Sequence, residues 1–283
     1  MFTVDLKEKE QPFPVNGEIK GLLPNTDGRG YGFFHLSPED TAVCMEELNT
    51  TTDEVLKGTI LINLYENLLH HTIAPEWFME NLSAYLSREK NTLLFPAALG
   101  YIRNCERLHP GSYPLLENRL WELVTPHPVE EHRLLTFRLY AGTAHSKEAL
   151  DRLYTIWKEE QAPEKCVLSE NDFIQLSYHL SIHLPERAEE IVRTQKQRIT
   201  NPDRQKEYAF ISPAVSADKV QRDSLFQALL IAENRRIEPW AATALSWLNH
   251  PVRQQEAIHY IRPALDILQE VQRTGDIFSR QPG

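Results

Sequence analysis

The sequence predicts an all-α fold, an irregular helical array preceded by a short N-terminal β-ribbon, and three observations predict it. Apolar residues recur at helical spacing beyond residue 36. Leu150, Leu153, Tyr154 and Trp157, for example, stand at i, i+3, i+4 and i+7, one stripe along a helix. Helix starts recur as well, at Ser37-Pro38-Glu39-Asp40, at Ser169 before ENDFIQL, at Asn201 before Pro202 and at Ser216 before ADKVQRD. Each sets a side-chain oxygen where the first backbone N–H groups of a helix lack partners. The breaks between stripes, such as HPGSYP, Thr125-Pro126-His127-Pro128 and APEKCVLS, are short polar links between neighbouring helices.

Residues 1–36 read differently. FTVDL alternates apolar and polar side chains, and EIKGLLP and GYGFFHL are short β-prone runs separated by Asn25-Thr26-Asp27-Gly28-Arg29-Gly30. Asp-Gly signals a tight turn, because glycine reaches positive φ without steric cost. Gly28, Gly30 and Gly32 do not make a phosphate loop: no Lys-Ser/Thr pair follows, and G-x-G-x-G is not the dinucleotide pattern. Ser37 then caps a helix with Pro38 in its first turn and acids near its positive end. Helices are expected at 38–48, 52–70, 75–88, 91–107, 112–124, 129–143, 147–160, 170–183, 185–198, 203–211, 217–231, 239–248 and 253–273. The last repeats the stripe pattern with Ile258, Ile261, Leu265, Leu268 and Val271. So many amphipathic helices on short links bury their stripes against neighbouring pairs, as in HEAT or armadillo arrays. No strict sequence repeat is visible, so 37–283 reads as one irregular solenoid-like helical domain. A lone β-ribbon is not stable in water, so residues 1–36 need either another sheet or the helices as a packing surface.

Composition narrows the function classes. The 283 residues are 41% hydrophobic and 25% charged, ordinary globular values. Asp and Glu outnumber Lys and Arg by 40 to 30, a formal net charge of -10. This argues against nucleic acid as a partner, since binding it requires a basic face to displace counterions, and against an anionic membrane surface. No apolar run reaches the roughly 18 residues of a membrane-spanning helix. The start MFTVDLKEKEQPFP lacks the basic and apolar regions of a signal peptide. Localisation stays open between cytoplasmic and exported.

Motifs for chemistry are few. Cys44, Cys105 and Cys166 form no CxxC pair and read as partly buried thiols. None of the eleven histidines is followed by Glu, so His-Glu-x-x-His is absent. His179 and His183 share a helix face without an evident third ligand, and read as helix-surface or partly buried imidazoles. His70-His71 ends a helix, where an imidazolium suits the dipole. No G-x-S-x-G nucleophile motif occurs. Met79-Glu80-Asn81 matches the end of the exopeptidase signature Gly-Ala-Met-Glu-Asn, but Trp77 and Phe78 replace Gly-Ala within a stretch of helical period, which reads as helix surface. More suggestive is AENRRIEPWAATALSWLNHPVR, where Arg235, Arg236, Glu238 and Trp240 gather at a junction between helices. Such ends are where arrays present contacts, and an arginine there can grip a carboxylate in two-point fashion. The structural alternative is an ion pair with Glu238 that holds the corner.

The order of these segments resembles the zinc aminopeptidases of the aminopeptidase N family. LLPNTDGRGYGFF followed by helices is similar to the end of that family's small β-sandwich domain leading into its C-terminal helical domain. LINLYENLL resembles the second-helix pattern. RITNPDRQKEYAFISPAVSADKVQRDSLFQALLIAENRRIEPWAATALSWLNHPVRQ and EVQRTGDIF resemble segments of the bacterial branch. The resemblance covers nearly the whole chain through order and spacing rather than one diagnostic motif. It implies that 1–36 are remnant strands of a preceding β-sandwich domain and that 37–283 form a bowl capping the active-site chamber. It also implies that Arg235, Arg236, Glu238 and Trp240 line the path of peptide substrates. The family's zinc, held by His-Glu-x-x-His and a downstream Glu, would then belong to a catalytic domain outside this chain, which is expected to be inactive alone. The chain's partners would be the catalytic and β-sandwich domains of the same polypeptide. After GDIF the tail Ser279-Arg280-Gln281-Pro282-Gly283 departs from the aromatic ending that the family suggests. The competing expectation is a free-standing helical scaffold that binds a partner protein.

Overall fold

The computed structural model describes residue 9 and residues 19–274, and among them the secondary structure is helical, with no strand. The α-helices are α1 (Pro38–Thr50), α2 (Glu54–Leu69), α3 (Pro75–Leu86), α4 (Leu94–Leu108), α5 (Pro114–Val124), α6 (Glu130–Thr143) and α7 (Lys147–Glu159). They continue with α8 (Glu170–His183), α9 (Ala188–Arg198), α10 (Pro202–Ile211), α11 (Lys219–Leu229), α12 (Glu238–Leu248), α13 (Gln254–Asp266) and α14 (Leu268–Thr274). Ser37 and Ser169 each close a capping box with an aspartate three residues on, and Asn201 caps α10. The cap of α11 is Asp218, which accepts from the Val220 N–H, while Ser216 Oγ accepts from the Asp218 N–H one turn earlier. The Ser216 assignment is thereby corrected: two candidate caps stand two residues apart, and the carboxylate takes the helix.

The expected β-ribbon is only partly in view. FTVDL lies outside the described residues, and residues 19–36 form turns and extended chain without a strand. Their backbone groups find partners on helices instead. The Asp40 carboxylate accepts from the Leu22 N–H at 2.6 Å, and Asn63 Nδ2 donates to the Pro24 carbonyl at 3.2 Å. Asn67 Nδ2 donates to the Phe34 carbonyl at 2.8 Å while its Oδ1 accepts from the Leu36 N–H at 3.0 Å. The turn itself is closed by the Gly28 N–H on the Asn25 carbonyl, with Gly28 at φ +67. Asn25 then clamps Gly30 from both sides, accepting its N–H at 2.6 Å and donating to its carbonyl at 3.1 Å. A Cβ on Gly30 would stand 2.8 Å from Asn25 Oδ1, so a side chain there would push the Asn25 amide out of its clamp.

The chain divides into two compact units, Met1–Ile102 and Arg103–Gly283, with the boundary inside α4. In the first, α1, α2 and α3 pack on one another around Leu48, Leu64, Phe78 and Leu82. Phe78 and Met79 of the exopeptidase look-alike are buried within α3, so the helix-surface reading of that stretch is corrected: its two apolar side chains belong to the core.

In the second unit the main packing partners are neighbours or next neighbours in the chain: α5 on α6, α6 and α7 on α8, α8 on α9, α10 and α11 on α12. This is the local pattern of a helical array. The helix α8 is buried on all sides from Leu176 through Ile182, and Tyr178 and Tyr208 stack with ring centroids 5.1 Å apart. The stripe expected on α7 is present: Leu150, Leu153 and Trp157 are buried. The stripe expected at the C-terminal end is not. Ile258, Ile261, Leu265 and Leu268 are exposed, and the helix breaks at Ile267 into α13 and α14. The face of α13 that packs carries Ala257, Tyr260 and Ala264, one residue out of step with the stronger hydrophobes.

Candidate functional site

The predicted site residues sit at the turn before α12. Arg235 is nearly buried and committed to the structure. Its guanidinium donates to the Leu229 carbonyl at 2.5 Å and pairs with the Glu270 carboxylate on α14. Arg236 is exposed, and Glu238 is half-buried at the start of α12. The half-buried Trp240 ring lies 5.9 Å from that of Phe210. The corner ion pair of Arg235 is therefore made with a residue 35 positions on, which no local reading reaches. What these four residues leave at the surface is one arginine and part of one indole.

A second constellation, largely missed by the sequence reading, lies in the core of the same unit. His179 and His183 from α8 are joined by His145 from the α6–α7 link and by His250 from the turn after α12. Ring centroids lie 4.3 Å apart for His179 and His183, 4.8 Å for His145 and His183, and 5.8 Å for His183 and His250. The Trp247 ring stacks on His250 at 5.6 Å.

Hydrogen bonds fix several protons. His179 Nε2 stands 2.9 Å from the Ala144 carbonyl, which only accepts, so that nitrogen carries the hydrogen. His250 Nδ1 accepts from the Val252 N–H at 3.4 Å, so its hydrogen is on Nε2. His145 Nε2 faces the buried Glu106 carboxylate at 3.2 Å. His183 Nε2 is buried with no hydrogen-bond partner among the described residues.

The link that carries His145 is held by Glu117 of α5. Its buried carboxylate accepts from the His145 and Ser146 N–H groups at 2.7 and 3.0 Å and from the Ser146 hydroxyl. Burial pushes His179 down to about 3, against the opposing Ala144 hydrogen bond, and His250 down to about 4. His183 is driven far below the usual imidazole range, first by burial and then by its imidazole neighbours and Arg253. At neutral pH these three are uncharged rings.

Imidazoles suggest a metal, and the zinc implied by the family resemblance can be tested against them. The arrangement does not fit. His145 and His179 have ring centroids 6.5 Å apart, wider than the roughly 5 Å expected of two imidazoles on one tetrahedral ion with metal–nitrogen bonds near 2.1 Å. His179 also spends Nε2 on the Ala144 carbonyl. Among the described residues no group of three His, Cys, Asp or Glu side chains is set to hold a metal ion. The sequence signal for the cluster was only the His179/His183 spacing, since His145 and His250 come from segments far along the chain.

The thiols are in the core. Cys44, Cys105 and Cys166 are all buried, more deeply than the partial burial expected, and burial pushes the Cys44 thiol up to about 12. No protein-family model matches the chain, and no curated protein matches it significantly.

Proposed function

We propose that this chain acts as the non-catalytic helical domain of a zinc aminopeptidase of the aminopeptidase N type. In that role it caps the chamber where N-terminal residues are removed from peptides and limits which peptides enter. The observation that carries the reading is the order and spacing of LLPNTDGRGYGFF, LINLYENLL and NRRIEPWAATALSWLNHPVRQ along one chain. Two structural features support it. Asn63 and Asn67 of LINLYENLL bind the LLPNTDGRGYGFFHL segment, so the first two segments form one joint. The exposed row Ile258, Ile261, Leu265 and Leu268 is apolar surface of the kind that a packed neighbour covers. On this reading the neighbours are the catalytic and β-sandwich domains of the same polypeptide, which hold the zinc. Arg236 and Trp240 offer surface to the distal part of a peptide, and Arg235 and Glu238 belong to the corner that presents them.

The same row favours a second reading, a helical scaffold that binds a partner protein, and the genomic sequence upstream of Met1 separates the two. A continuous reading frame encoding His-Glu-x-x-His supports the peptidase, and its absence supports the scaffold. The biochemical test uses the purified chain, which is expected to bind no zinc stoichiometrically and not to hydrolyse Leu-p-nitroanilide. Stoichiometric zinc together with steady turnover would overturn the reading.

A further inference from the structure

The histidine cluster is surrounded by too little negative charge to accept protons. From α4 it is faced by Glu106 and Arg107, from α5 by Glu117, and from the α6–α7 link by His145. From α8 come His179 and His183, and from the segment after α12 come His250 and Arg253. Four imidazoles and two guanidinium groups thus stand against two carboxylates. One of these, Glu117, already accepts three donors from His145 and Ser146. Glu106 lies 3.2 Å from His145 Nε2, and its charge offsets only part of the burial that lowers His250. Among the described residues no hydrogen bond joins His179, His183 or His250 to a carboxylate. His179 and His183 have ring centroids 4.3 Å apart, and two imidazolium rings at that separation, one of them buried, repel each other. A proton on His250 Nδ1 removes the acceptor of the Val252 N–H, so charging that ring also undoes the turn it caps.

We propose that the cluster is an acid-triggered latch. In its neutral form it pins residues 249–253 against the end of α8 and the α6–α7 link, and proton uptake releases that junction and the start of α13. At neutral pH the closed state is further held by Arg253, whose guanidinium donates to the Ala214 and Val215 carbonyls at 3.2 Å. The sign follows from the rings being neutral when closed and hydrated when open. The open state binds more protons below the ordinary imidazole value of about 6.5, so the latch is fully closed above that pH and loosens as pH falls.

Native-state hydrogen exchange of the full chain, corrected for the intrinsic pH dependence of exchange, tests this at the Val252 and Arg253 amides. The expected result is an opening constant that rises between pH 6.5 and 5 with uptake of about two to three protons, roughly 10²- to 10³-fold per pH unit. The Leu36 amide in the first unit should not follow. His183→Gln removes a titrating ring without removing a hydrogen bond, and it should lower the slope by about one proton. Opening constants that do not change with pH would overturn the proposal, as would the same slope in His183→Gln or an equal rise at Leu36. Where that variant fails to fold, the unmutated chain's slope at Val252 and Arg253 set against Leu36 decides alone.

Discussion

Replacing Asn67 by alanine tests whether the segment before α1 is held by side chains rather than by a sheet. Asn67 is fully buried on α2 and serves the segment with both ends of its amide. Truncation leaves the buried Leu36 N–H without an acceptor and the half-buried Phe34 carbonyl without a donor. Thr72 Oγ1 keeps a partner in the Asn67 carbonyl. An orphaned buried group costs about 1–3 kcal/mol. Counting Leu36 fully and Phe34 in part, because water reaches it, gives about 2–4 kcal/mol. The two units make a single unfolding midpoint ambiguous, so the suitable assay is native-state hydrogen exchange at the Leu36 amide. Protection should fall by roughly 30- to 700-fold, at 1.4 kcal/mol per tenfold. Asn63→Ala removes one 3.2 Å bond to the Pro24 carbonyl and serves as a graded control at about 1 kcal/mol. A change under threefold at Leu36 in Asn67→Ala would refute the reasoning and leave the segment held by something other than α2.

Two further predictions concern the cores. Because Cys44, Cys105 and Cys166 are buried and burial raises the Cys44 and Cys166 thiols, none should react with a disulfide-exchange reagent at pH 8 until denaturant is added; a thiol that labels within minutes in the native protein would contradict this. Trp157 is buried on α7 with its indole N–H on Gln195 Oε1 at 2.8 Å and the Arg198 guanidinium over its ring. Trp157→Ala should destabilise the second unit by about 3–5 kcal/mol, read as lost native-state hydrogen-exchange protection of the α8 amides. A shift equivalent to less than 1 kcal/mol would mean that the site collapses without loss.

Helix positions were legible in the sequence because their ends carry short-range chemistry. Ser37, Ser169 and Asn201 each accept from N–H groups two or three residues away, a relation contained in five residues of text. Ser216 failed because Asp218 competes for the same start. The stripe on α13 failed for a different reason. Periodicity reports that a helix has an apolar side, but not that anything in the chain covers it. The side that packs, with Ala257 and Tyr260, is the less hydrophobic one. The β-prone runs at 19–36 were read correctly as extended but not as unpaired with each other, because their partners are two asparagines on a helix. At the candidate site the limit is sequence distance. The pair on α8 is visible as i and i+4, whereas Glu106, His145 and His250 meet it only after four elements have packed.

The packing of helices on near neighbours also bears on synthesis. When a chain leaves the ribosome from its N-terminal end, α5 has its main partner as soon as α6 emerges, and α8 gains its main later partner when α9 emerges. Contacts of short sequence separation form quickly, so apolar faces of the second unit are covered soon after they appear. Among the described helices the last two carry Ile258, Ile261, Leu265 and Leu268, and that row is left bare by the packing of the helices before it.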